Sequence, residues 1–127
     1  MRASRRDGGF TLVSVLVALA ILAIGLLALA RAQAAIVASQ GNVANRTVAL
    51  TIARDHAELL RSRSPWTLVS EAPATVDARG AAAANGAYTR TTNVTVLSNN
   101  LLQVQVLVTY PRSTVPVDIV TLIYRSS

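Results

Sequence analysis

The chain has 127 residues, a net charge of +6 and no cysteine. This length allows one small domain with an appendage, and the lack of cysteine excludes a disulfide framework and a thiolate metal site. All the basic residues are arginines, and beyond residue 9 they are scattered without interleaved aromatic side chains, which favours a solvated surface over a nucleic-acid interface.

The N-terminal segment joins a cationic leader to an apolar run. Arg2, Arg5 and Arg6 precede Gly8-Gly9, and residues 10–30 carry no charge. A helix of this length spans roughly 31 Å, the thickness of a bilayer core. Because arginines are denser before the run than after it, the positive-inside rule predicts a cytoplasmic N-terminus and an external segment 31–127.

An apolar run near the N-terminus is also typical of a cleaved secretory signal. Small residues suited to such cleavage occur near Ala30 and Ala34. However, a secretory apolar region is about 7–15 residues long, and this run is longer. A signal cut near Ala30 or Ala34 and a plain uncleaved anchor therefore stay as the less favoured alternatives.

The order of the leader and the run matches a specific signal. The stretch Gly9-Phe10-Thr11-Leu12-Val13 and the apolar residues after it resemble the class III signal of type IV prepilins and type II secretion pseudopilins. In that family a membrane aspartic peptidase cleaves between the glycine and the phenylalanine and then methylates the new terminus. The resemblance covers roughly residues 8–30 and implies cleavage after Gly9 and N-methylation of Phe10. Residues 23–27 are most similar to PilV-type minor pilins and the related pseudopilin I subunits.

One position departs from the family pattern. Most members carry a glutamate four residues after the cleaved phenylalanine, where this chain has Ser14. In the family that carboxylate pairs with the terminal amine of an adjacent subunit. A charged side chain in a bilayer costs about 2.5–3.5 kcal/mol at the helix centre, and such pairing offsets this cost. Since Ser14 offers a hydrogen bond but no charge, we expect weaker docking and a specialised, low-copy subunit.

The resemblance also implies partners and a location. The expected partners are a prepilin peptidase, other pilins or pseudopilins bound through the N-terminal helix, an inner-membrane assembly platform, and membrane lipid before assembly. The expected location is the bacterial inner membrane, as a single pass with a periplasmic or extracellular C-terminal domain, and afterwards a pilus or pseudopilus fibre.

Helical character is predicted to continue over residues 31–63, with a weak point at Gly41-Asn42. Two apolar stripes follow the helical period, and we expect one to face the sheet and the other to face neighbouring subunits. The first contains Ile36, Val43, Leu50 and Ala57, and the second contains Val37, Val48, Ile52 and Leu59.

Ser64-Pro65 should end the helix because proline cannot continue it. Residues 64–87 are predicted to form a connecting loop with at most one short element, in which Trp66 packs on the sheet or helix. Alternating patterns then predict three strands, over 88–97, 101–110 and 115–125. The expected fold is α+β: a long N-terminal helix, transmembrane in its first half (10–30), packed by its second half (31–63) on an antiparallel three-stranded meander (88–127), after a leader of residues 1–9.

Catalysis finds little support in the sequence. His56 is the only histidine, and Asp55, His56 and Glu58 do not share a helix face. Glu58 has Arg54 and Arg61 at helical spacing, which favours an exposed ion-pair ladder over a metal site. We therefore expect neither an enzyme nor a bound metal or cofactor.

The sequence thus favours a structural assembly protein, a minor type IV pilin-like subunit that is inserted in the membrane, processed after Gly9, and assembled into a fibre or used to prime one. Three alternatives stay open: a minor pseudopilin of a type II secretion apparatus, a DNA-uptake or adhesin subunit whose arginines bind ligand, and a simple anchored or secreted periplasmic protein. Nucleic acid is the partner with the least support.

Overall fold

A computed structural model of the protein describes residues 11–126. One long helix, α1 (Leu12–Ser62), is followed by a short 3-10 turn (Pro65–Thr67) and four strands. The strands are β1 (Glu71–Val76), β2 (Tyr88–Ser98), β3 (Leu101–Thr109) and β4 (Val117–Tyr124). The chain divides into two units, one ending at Ser39 and the other beginning at Gln40.

A side-chain cap at its N-terminus and a proline after its C-terminus account for the bounds of helix α1. Thr11 precedes the helix, and its Oγ1 accepts a hydrogen bond from the backbone N–H of Ser14 at 3.2 Å, which satisfies one free amide of the first turn. No proline occurs within α1, and helical structure continues through Gly41 and Asn42. The helix ends at Ser62, shortly before Pro65.

The sheet has four strands, not the three expected from the sequence. Its order is β1-β2-β3-β4, with every neighbouring pair antiparallel. The additional strand, β1, lies in the segment that was expected to be a connecting loop. It contains two alanines and Pro73, which are poor strand formers, and its pairing with β2 is irregular between Glu71 and Ala74. Pairing with β2, a tertiary interaction, therefore creates this strand.

The core of the second unit lies between the C-terminal part of α1 and one face of the sheet. Strand β3 alternates as predicted, with every second residue buried. The buried apolar residues of the strands are Val76, Tyr88, Leu102, Val104, Val106, Val108, Val117 and Ile123, and those of α1 are Ala49, Ile52, Ala53, Ala57 and Leu60.

The buried face of α1 matches neither predicted stripe as a whole, and it takes one buried residue from each, Ala57 from the first and Ile52 from the second. At about 100° per residue it lies between the two stripes, centred on Ala49, Ala53 and His56. Of the first stripe Ile36 and Val43 are exposed, and of the second Val37 and Leu59 are exposed. Three of the six buried helix residues are alanines and one is histidine, so the spacing of large apolar side chains does not reveal the face that packs on the sheet.

The loop between β1 and β2 packs tightly at Gly86. A Cβ atom at this position would collide with the backbone carbonyl of Val76, whereas one at Gly41, in the middle of α1, would meet no atom within 4 Å. Alanine can therefore be tested at both glycines, with Gly41 as the control position for Gly86.

We expect Gly86→Ala to destabilise the protein by about 1–3 kcal/mol, because backbone must move to admit the methyl group. Gly41→Ala should instead stabilise it by about 0.5–1 kcal/mol, because alanine has the higher helix propensity. Denaturant unfolding of the full chain in detergent micelles, followed by circular dichroism, measures both. Equal stability of the two variants would contradict the packing described at Gly86.

Candidate functional site

The N-terminal part of α1 exposes apolar side chains on every side. Within α1 an 18-residue window reaches a mean hydropathy of 3.0 with none of its residues buried, which is long and apolar enough to cross a membrane. The large apolar residues from Leu12 to Leu29 keep 43–77% of their surface exposed. A helix that is apolar all round is suited to lipid or to packing among other helices.

The first turn of this helix carries the departure from the glutamate pattern. Ser14 Oγ lies 2.9 Å from Thr11 Oγ1, so the two hydroxyls form a hydrogen bond beside the N-terminal cap. No acidic residue occurs in this turn. A carboxylate here would be favoured by the positive end of the helix dipole, and Ser14 supplies only a neutral hydrogen-bonding group. Gly9 and Phe10, the predicted cleavage and methylation residues, lie outside the described residues.

Comparison with protein families finds a match, which lies in this N-terminal segment. Residues 4–30 match the family described as "Prokaryotic N-terminal methylation motif", a range that includes Gly9, Phe10 and Ser14. This match supports a protein of the general prepilin-like kind. The motif implies processing by a prepilin peptidase and assembly with other pilins in general, and together with the apolar helix it indicates a membrane anchor. Comparisons with curated proteins and with solved structures gave no match.

A second polar site lies between α1 and the sheet. His56 is buried, with 6% of its surface exposed, and its Nε2 lies 3.2 Å from both Glu71 Oε2 and Thr92 Oγ1. Arg63 lies on the other carboxylate oxygen of Glu71, at 3.9 Å. These contacts link α1 to β1 and β2 over sequence separations that a reading of helix faces does not detect.

Burial lowers the pKa of His56 below its usual value of 6.5. The positive charge of Arg90 lowers the pKa further, while the carboxylate and hydrogen bond of Glu71 act in the opposite direction. At neutral pH His56 is therefore a neutral hydrogen-bonding group in the core.

The His56 cluster does not have the geometry of a nucleophilic triad. Both Glu71 and Thr92 lie on the same ring nitrogen, Nε2. In a triad the carboxylate orients one nitrogen while the other contacts the nucleophile. Within residues 11–126 there is also no group of three or more His, Cys, Asp or Glu side chains that could hold a metal ion.

The expected ion-pair ladder forms in part. Arg61 Nη1 lies 3.2 Å from Glu58 Oε1, and the same arginine donates to Thr121 Oγ1 from Nε at 3.1 Å and Nη2 at 2.8 Å. Arg54, expected to join the ladder, forms no ion pair with the carboxylates of residues 11–126. Arg61 therefore connects α1 to the edge strand β4.

Trp66 is more exposed than its expected packing on the sheet or helix would suggest. It keeps 61% of its surface exposed, and the guanidinium carbon of Arg125 lies 4.8 Å from its ring centroid. This distance is typical of a cation–π contact. Because Trp66 is the only tryptophan, its fluorescence reports on this region.

The lowered pKa of His56 predicts acid sensitivity. An unfolded histidine titrates near pH 6.5 and the folded one lower, so acidification through this range favours the unfolded chain. We expect the wild-type chain to lose more unfolding free energy between pH 7 and about pH 5 than His56→Gln, which cannot titrate. Urea unfolding at a series of pH values, followed by Trp66 fluorescence, measures the two slopes. Parallel pH profiles would show that His56 does not couple protonation to folding.

Proposed function

We propose that this protein is a minor type IV pilin-like structural subunit without catalytic activity of its own. A prepilin peptidase would cleave it after Gly9 and methylate Phe10, and the mature chain would enter or prime a pilus fibre. The observation that carries this proposal is the methylation motif at residues 4–30, which includes Gly9 and Phe10 and runs into a helix whose apolar side chains are exposed. Cleavage at that place would leave the helix attached to the mature chain.

The same helix surface supports both stages of this function. Before assembly, lipid covers the apolar side chains, with the N-terminus in the cytoplasm and the sheet on the periplasmic side. After assembly, neighbouring helices replace the lipid. Ser14, Ala18 and Gly25 recur at helical spacing and share one side of α1, and small residues of this kind allow close approach of a second helix.

Ser14 supports a specialised rather than a bulk subunit. A glutamate at this position would be costly in lipid until paired, and this cost would drive docking under another subunit. Ser14 already has a hydrogen-bond partner in Thr11 and carries no charge. The helix therefore carries no unpaired charge in the membrane, and pairing with the terminal amine of another subunit would not stabilise it. This suits a subunit present in few copies.

Peptidase processing gives the first test. In cells that make prepilin peptidase, we expect mass spectrometry of the mature chain to find methylated Phe10 as its first residue. Gly9→Leu should block cleavage because the residue before the cut must be small, whereas Gly8→Leu should still be processed. An intact Met1, or a mature terminus near Arg31 or Ala35, would contradict the proposal.

The Ser14 idea has a separate test. We expect Ser14→Glu to raise the share of the subunit found in sheared fibres several-fold, because the carboxylate gains by pairing with a terminal amine. Ser14→Ala, which also lacks charge, should behave like the wild-type chain. Quantitative immunoblotting of fibre and membrane fractions measures this share. An unchanged share for Ser14→Glu would remove Ser14 as the reason for low incorporation.

A further inference from the structure

The two edges of the sheet differ in how they are protected. On β1, Pro73 lacks an amide proton, and the pairing with β2 is irregular between Glu71 and Ala74. Residues 81–83 also cover the outer side of this strand. Ala82 forms a β-bridge with Val76, and the N–H of Ala83 donates a hydrogen bond to the carbonyl of Thr75. Such features prevent pairing with another strand.

Strand β4 has none of these protections. It pairs only with β3, has no proline between Val117 and Tyr124, and carries one charged residue, Asp118. Its outward face exposes Val120, Leu122 and Tyr124, each with more than half of its surface accessible. An open, apolar edge strand is a template for pairing with another strand.

Two pockets, together called the groove, lie between β4 and the flank of α1. The larger, of about 630 Å³, is lined by Val43, Arg46, Thr47, Leu50, Tyr110, Val115, Pro116, Val117 and Asp118. The smaller, of about 150 Å³, is lined by Arg54, Ala57, Glu58, Arg61, Ile119, Val120 and Thr121. The β4 side of the groove covers Val117–Thr121, roughly 13 Å of extended chain, and Val115 and Pro116 precede the strand.

The α1 side of the groove carries three arginines and one carboxylate, Glu58, and Asp118 lies on the β4 side. Arg46, Arg54 and Arg61 are exposed and lie on one flank of the helix. Arg61 is held by Glu58 and Thr121, whereas neither Arg46 nor Arg54 forms an ion pair with a carboxylate of residues 11–126. Two guanidinium groups are thus available to carboxylates of an incoming segment.

We propose that this groove binds an extended, acidic segment of a partner protein, which adds to β4 as a fifth strand. Backbone hydrogen bonds to the open edge of β4 supply affinity, and alternate side chains supply specificity. Side chains on one face would be carboxylates that reach Arg46 and Arg54. Those on the other face would be apolar and would extend the exposed surface of Val120, Leu122 and Tyr124.

This surface lies outside residues 1–30, so its test is independent of peptidase processing. The probe is an eight-residue peptide of alternating glutamate and valine, titrated into the full chain in detergent micelles. We expect binding, with slower hydrogen exchange of the amides in Val117–Tyr124 and no change in Glu71–Val76. A lysine–valine peptide should bind at least about tenfold more weakly, and N-methylation of every second amide of the acidic peptide should abolish binding.

Two double variants with the same change in net charge isolate the groove. Arg46→Gln with Arg54→Gln should weaken peptide binding by about tenfold, the combined effect expected of two surface ion pairs. Arg31→Gln with Arg79→Gln, which lie outside the groove, should leave it unchanged.

Three results would overturn the proposal. The first is equal or absent binding of the two peptides, and the second is unaltered binding by the groove variant. The third is occupancy of the groove by a different partner. Hydrogen-exchange protection of β4 that rises with protein concentration in the absence of peptide would indicate a second copy of this chain. Tighter binding of a short DNA duplex than of the acidic peptide, lost in the groove variant, would indicate nucleic acid.

Discussion

The apolar side chains of α1 from Leu12 to Leu29 have no covering within the described chain, and this fact constrains the rest of the molecule. Such a surface is stable only in lipid or among other helices, since burial of apolar area is the main favourable term in both environments. The N-terminal methylation motif at residues 4–30 overlaps this exposed part of the helix.

In the second unit, the C-terminal part of the same helix packs on the sheet. Between Ala49 and Leu60 only one side of α1 is buried, and small residues dominate that side. His56 sits among them, and its contacts with Glu71 and Thr92 connect the helix to the two strands nearest one edge of the sheet. On the other side, Arg61 connects the helix to β4 through Thr121. Polar contacts on both flanks thus fix the sheet on a face that offers few large apolar side chains.

The two edge strands of the sheet, β1 and β4, differ in whether another strand could pair with them. The edge at β1 is closed by proline, an irregular pairing and a covering loop, whereas the edge at β4 is open beside a groove with two arginines free of carboxylates among the described residues. If the molecule assembles with others through its N-terminal helix, the open edge gives it a second and chemically distinct surface. One surface is apolar and continuous around the helix, and the other combines backbone hydrogen bonds with charge.

The sequence by itself determined the long helix, the N-terminal methylation motif within residues 4–30, the α+β class, and the alternation of β3 and β4. These features depend on local composition and on periods of 3.6 and 2 residues, which neighbouring positions carry. Only the tertiary structure decided that Glu71–Val76 is a strand, that Ala49, Ala53 and His56 face the sheet, and that Arg61 reaches Thr121. Each of these depends on partners at least 12 residues away, as between Val76 and Tyr88, where no local period exists to reveal the contact.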